Sequence, residues 1–132
     1  MKQRLYWLTA SLLIVHEIDS AYWREWELFG LPGGVEGFLA IHVALALVVL
    51  WGYGRVLGEA RSGTWMSLGV GASGVATALV HGTFLARGAG QFRTPASLAI
   101  IGATALAGVA LLVAALRSGR RWVPPSPPAS SS

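Results

Sequence analysis

The chain has 132 residues, of which 54% are hydrophobic and only 12% charged, with a mean hydropathy of +0.57. A soluble domain of this length carries about twice that charge fraction, so the composition excludes an ordinary soluble domain and points to an integral membrane protein. Cysteine is absent, which excludes disulfides, thiolate metal sites, iron–sulfur clusters and cysteine nucleophiles together. The net charge of +4 does not indicate a nucleic-acid partner, because the basic residues stand singly at the ends of apolar blocks and form no patch.

Four apolar blocks, at residues 5–23, 37–57, 64–86 and 95–116, are each about long enough to cross a hydrocarbon core ~30 Å thick. They predict an all-α four-helix transmembrane bundle with short loops, the domain covering residues 1–122. The last three contain no Asp, Glu or Lys, and Arg55 lies only at the inner end of the second. The first is interrupted by His16-Glu17-Ile18-Asp19 after the apolar run of residues 5–15. With Lys2 and Arg4 ahead of it, that run compares with a signal-peptide core. The stretch Asp19-Ser20-Ala21 lacks a small residue at the first cleavage position, so an uncleaved span is expected. Gly30-Leu31-Pro32-Gly33-Gly34 reads as the turn that resets the chain for the second helix. Residues 123–132 are rich in Pro and Ser and read as a disordered cytoplasmic tail.

Orientation follows from Lys and Arg near the span ends. Lys2, Arg4, Arg55, Arg61, Arg117, Arg120 and Arg121 share one side, against Arg24, Arg87 and Arg93 on the other. Both termini are therefore expected in the cytoplasm and the protein in a bacterial inner membrane. Tyr6, Trp7, Trp65 and Trp122 fall at the inner boundary, and Tyr22, Trp23, Trp26 and Phe92 at the outer one. In lipid, helices associate through close packing, so small residues mark contact faces. Gly69, Ser73 and Thr77, with Gly71 and Gly74 beside them, and Ala99, Ala103 and Ala107, with Gly102 close by, predict tight packing of the third span on the fourth.

Five of the six acidic residues, Glu17, Asp19, Glu25, Glu27 and Glu36, lie between positions 17 and 36, on the outer side of the first hairpin. An ionised carboxylate at membrane depth costs roughly 2.5 to 3.5 kcal/mol on insertion scales, which singles out Glu17 and Asp19 as functional candidates. Glu25, Glu27 and Glu36 read as loop or interface residues. His16, His42 and His81 all fall roughly 7 to 11 Å below the outer boundary when counted by helical rise. Three chain-distant imidazoles at one depth are expected to converge with Asp19, which shares a helix face with His16, while Glu17 points about 100° away. The bland alternative is that each imidazole is satisfied by a nearby hydroxyl or carbonyl, with Ser20, Ser73 and Thr77 as partners. Imidazole with carboxylate suits zinc, iron or manganese, and two facing histidines are also the ligands of a non-covalent b-type haem. There is no phosphate-binding glycine loop, no GxSxG elbow and no HExxH.

The run His16-Glu17-Ile18-Asp19-Ser20-Ala21-Tyr22-Trp23-Arg24-Glu25-Trp26-Glu27-Leu28-Phe29, followed by Leu31-Pro32-Gly33-Gly34, resembles a family of small, uncharacterised bacterial membrane proteins with four predicted spans and a leading His-Glu-x-Asp segment. More distantly it is similar to the HXXEE-domain proteins, with Ser20 standing where their second acid would be. The resemblance covers mainly residues 12–45 and implies a four-helix bundle with a functional first hairpin; it supplies no activity.

The leading functional reading is thus an outer-leaflet site in which His16, Asp19, His42 and His81 bind a metal ion or perform proton or redox chemistry, with Glu17 as acid/base. A proton- or solute-translocating homo-oligomer is a second reading, weakened by the few polar groups in the inner halves of the spans. A third is an accessory or assembly subunit of a larger membrane complex, docking through the acidic, aromatic loop 24–36. Cysteine labelling tests the topology on which all three rest: Ser132 should be reached from the cytoplasm only, and Gly33 and Gln91 from the periplasm.

Overall fold

The computed structural model describes residues 1–119. The tail expected over residues 123–132, with Arg120, Arg121 and Trp122, lies outside the described residues. Those described are helical and form no strand: α1 Lys2–Tyr22, α2 Glu25–Leu28, α3 Gly34–Leu57, α4 Arg61–Ala86 and α5 Pro95–Gly119. Among them α3, α4 and α5 are long and apolar enough to cross a membrane. Helix α1, at 21 residues, has the length but carries Lys2, Arg4, Glu17 and Asp19, which lower its hydropathy.

Local chemistry accounts for the helix ends. Gly33 precedes α3 with φ 85°, and Gly30 and Gly34 also take positive φ, so the glycine-rich turn falls where its composition demands it. Pro95 opens α5, where its missing N–H costs nothing, and the Thr94 hydroxyl accepts the Ser97 N–H at 3.1 Å as a cap. The short helix α2 was not anticipated. It is set off by Arg24, a non-glycine residue at φ 55°, which turns the chain back toward the bundle.

The most extensive helix contact is α4 on α5, as the small residues predict, but the contact stripe differs from the expected one. A Cβ added at Gly108 would lie 2.7 Å from the Gly71 carbonyl oxygen, and one at Gly74 would lie 2.8 Å from the Thr104 carbonyl oxygen, so the two backbones touch. Gly69 and Gly102 face open space, and Ser73 and Ala99 are exposed. Spacing of small residues therefore identified the helix pair; of the residues it named, Gly71, Gly74 and Ala107 are buried, and Gly69, Ser73, Ala99 and Gly102 are not. Helix α1 lies in the groove of this pair, with the Thr9 methyl 3.3 Å from the Cβ position of Gly74. Tyr6, wholly buried, donates its hydroxyl to the Val49 carbonyl of α3 at 2.8 Å.

Polarity is distributed inside out. The buried side chains include Thr9, His16, Ser20, Glu25, Ser67, His81, Ser97 and Thr104, while Leu39, Val43, Leu45, Leu47, Leu50 and Leu106 are exposed. The buried hydroxyls of Thr9, Ser67 and Thr104 each donate to the carbonyl four residues earlier, so each polar group is satisfied within its own helix. Such a surface suits lipid and not water.

Because no movement of a side chain relieves a clash with a carbonyl, Gly108→Ala should lower the melting temperature in detergent by several degrees, equivalent to about 1–3 kcal/mol of overpacking. Gly102→Ala, whose Cβ meets nothing, should leave it unchanged or raise it.

Candidate metal centre

Helix periodicity carries the α4–α5 contact level along the bundle to a set of polar side chains. His81 follows Gly74 by seven residues, His16 follows Thr9 by seven and Ser97 precedes Thr104 by seven, each a step of about 10.5 Å along its helix. At this level the His16 and His81 rings meet edge to face, with centroids 4.7 Å apart and an interplanar angle of 86°. Both residues are 2% exposed. The left-handed turn at Arg24 brings Glu25, itself buried, onto the same point, and Arg24 pairs outside with Glu27 at 2.5 Å. One ring nitrogen each from His16 and His81 and one carboxylate oxygen from Glu25 lie within 4.8 Å of one another.

Hydrogen bonding fixes what these atoms offer. His81 Nδ1 is 2.8 Å from the Thr77 carbonyl, which can only accept, so Nδ1 carries a proton. In the neutral ring Nε2 is then a bare lone pair, and it faces Glu25 Oε1 at 3.5 Å, too long for a good hydrogen bond. Nε2 of His81 and Nδ1 of His16 are both buried without a hydrogen-bond partner. His16 Nε2 has the Ser20 hydroxyl at 3.3 Å. Two imidazoles and a carboxylate thus converge in a buried space, with His16 Nδ1 and His81 Nε2 unpartnered, an arrangement that could hold a metal ion. Phe92 closes over it: wholly buried, it stands with its ring 4.3 Å from His81, 6.4 Å from His16 and 6.2 Å from Trp23. Phe92 thus covers the imidazoles.

His42 and Glu17 form a separate pair beside this centre. His42 Nδ1 donates to the Phe38 carbonyl at 2.7 Å, and Nε2 is 2.6 Å from Glu17 Oε2. Two acceptors at that distance require a proton between them, so the pair holds one proton whichever atom bears it. It is half-buried, under the Phe38 ring, which stacks on His42 with centroids 3.9 Å apart.

Asp19 belongs to a third set. Its Oδ1 accepts the Ser97 hydroxyl at 2.9 Å, the Ser97 oxygen receives the Trp23 indole N–H at 3.3 Å, and the Thr94 hydroxyl lies 2.8 Å away. Asp19 therefore ties α1 to α5, with Oδ2 buried and unpartnered. Of the residues singled out by sequence, the structure brings His16 and His81 together, sets Glu17 against His42, and engages Asp19 with Ser97.

Glu25 was missed. It follows the end of α1 and reads as a loop acid. Only the left-handed residue before it returns it to the bundle, and nothing in an arginine announces positive φ. The one available signal was its place between Trp23 and Trp26, which anchor the segment against the bundle end. A haem has no room between His16 and His81, because rings in edge contact at 4.7 Å leave no space for a macrocycle between them.

Neither a curated protein nor a solved structure matches the chain. A family model, described as a family of unknown function (DUF6713), matches residues 2–118. Since that match spans the whole described helical array, the chain is a member of the DUF6713 family.

Proposed function

We propose that the protein is a small integral membrane protein of the bacterial inner membrane that holds a divalent transition metal ion between His16, His81 and Glu25. One observation carries the reading: two buried imidazole nitrogens without hydrogen-bond partners share a space with a buried carboxylate. Two imidazoles and one carboxylate form a donor set of zinc enzymes and of non-haem iron(II) sites, and both leave coordination positions open for water or substrate. Metal–ligand bonds of about 2.0–2.2 Å would draw the three groups inward from their present spread. Glu17, sharing a proton with His42 beside the ion, is the acid/base group of this reading. Asp19 and His42 lie at its edge, Asp19 as the strut to α5.

In this reading α1 is a fourth span alongside α3, α4 and α5, and the ends of the bundle near Lys2 and Ser118 face the cytoplasm. Support comes from α1 itself, which buries Thr9, His16 and Ser20 and exposes Leu8, Ile14, Val15 and Ile18. A helix that turns its polar residues inward is suited to lipid. The basic residues near that end agree.

Elemental analysis of the full chain, purified in mild detergent after growth with zinc, iron and manganese, should find about one metal ion per chain. His81→Gln should weaken binding by more than the about 10–100-fold typical of an outer-shell partner, whereas Glu17→Gln and Glu27→Gln should retain the ion. Metal binding requires neutral imidazoles, so acid competes: occupancy should fall as pH is lowered. Wild-type protein without stoichiometric metal would overturn the reading.

A further inference from the structure

At the end of the bundle remote from the imidazoles, a cleft of about 1150 Å³ opens between the start of α1, the start of α4 and the end of α5. Its floor includes Val56 and Ala115, both wholly buried. Three cations from three helices line it, Lys2, Arg61 and Arg117, against the single acid Glu59. None of the three cations forms an ion pair among the described residues. Arg55 nearby is different: it donates to the Ser62 hydroxyl at 2.8 Å and lies over the Trp51 ring, and it does not line the cleft. Trp65 and Leu68 complete the wall, Trp65 being 67% exposed.

We infer that this cleft binds the headgroup of an anionic phospholipid, an inference that rests on the membrane reading above but not on the metal. Charge complementarity selects the occupant. A phosphodiester accepts N–H bonds from guanidinium and ammonium groups alike, and three cations facing one acid leave positive charge for it to neutralise. Basic pockets between transmembrane helices at the cytoplasmic side are the usual form of such sites. The aromatic and apolar wall extends the site toward the acyl chains, with Trp65 placed where an indole ring sits at headgroup depth.

Native mass spectrometry of the full chain, released from nanodiscs containing phosphatidylglycerol and phosphatidylcholine, tests this. Wild-type protein should retain phosphatidylglycerol preferentially, and Lys2→Gln/Arg61→Gln/Arg117→Gln together should reduce the preference by at least about tenfold. Arg61→Lys/Arg117→Lys should keep most of it, which separates loss of charge from loss of fold, and Arg24→Gln/Arg87→Gln at the opposite end should keep all of it. A photoreactive residue at position 68 should crosslink to phosphatidylglycerol. Equal retention of the two lipids by wild type, or an unchanged preference in the triple glutamine variant, would overturn the inference. So would displacement of the lipid by millimolar inorganic phosphate, which would make the ligand a free anion, or crosslinking of position 68 to residues 120–132 in place of lipid. Extraction of the chain from membranes by alkaline carbonate would instead refute the membrane reading itself.

Discussion

The backbone contact between α4 and α5 is the constraint from which the rest of the arrangement follows. With carbonyl oxygens of Gly71 and Thr104 standing where side chains of the partner helix would otherwise be, the two helices meet backbone to backbone in a register that only glycine at Gly74 and Gly108 allows. Lipid supplies no hydrophobic force between helices, so this proximity, with its dispersion and weak C–H···O contacts, is what holds them. Helix α1 then finds its level by setting Thr9 against Gly74. From that plane the same two-turn step on α1, α4 and α5 delivers His16, His81 and Ser97 to one level near the end of the bundle where α1 and α4 stop. The depth shared by the histidines is therefore a consequence of register.

Two histidines on different helices are built alike. His42 and His81 each give Nδ1–H to the carbonyl four residues earlier, and each presents Nε2 to a carboxylate. What separates them is distance and cover. At 2.6 Å, half-buried, the His42–Glu17 pair is closed by a proton. At 3.5 Å, buried and joined by a second imidazole, the His81–Glu25 pair leaves a gap that a proton alone bridges poorly. The helical backbone fixes the tautomer in both cases, which spares the site an outer carboxylate to orient the ring. Asp19, expected in that orienting role or as a ligand, is engaged by Ser97 and serves to hold α1 on α5.

The bundle is polarised along its length. Carboxylates and imidazoles gather at one end, under the aromatic cover of Trp23, Trp26 and Phe92, and Lys2, Arg61 and Arg117, without an ion pair among the described residues, gather at the other around the cleft. The middle is apolar apart from hydroxyls bonded within their own helices.

Composition and block length alone determined that this is a helical chain suited to a membrane, because apolar runs of about twenty residues with charge confined to their ends have few other physical solutions. Periodicity also determined that His16 and Asp19 share a face, and small residues pointed to the α4–α5 pair. Tertiary structure alone decided which small residues touch, since Gly69 and Gly71 are equivalent in composition and differ only in the face that meets α5. It decided too that Glu25, in place of Asp19 or His42, joins the two imidazoles. The left-handed turn at Arg24 and the bond from Ser97 to Asp19 are long-range outcomes of packing, and no local spacing of residues encodes a contact between positions 19 and 97.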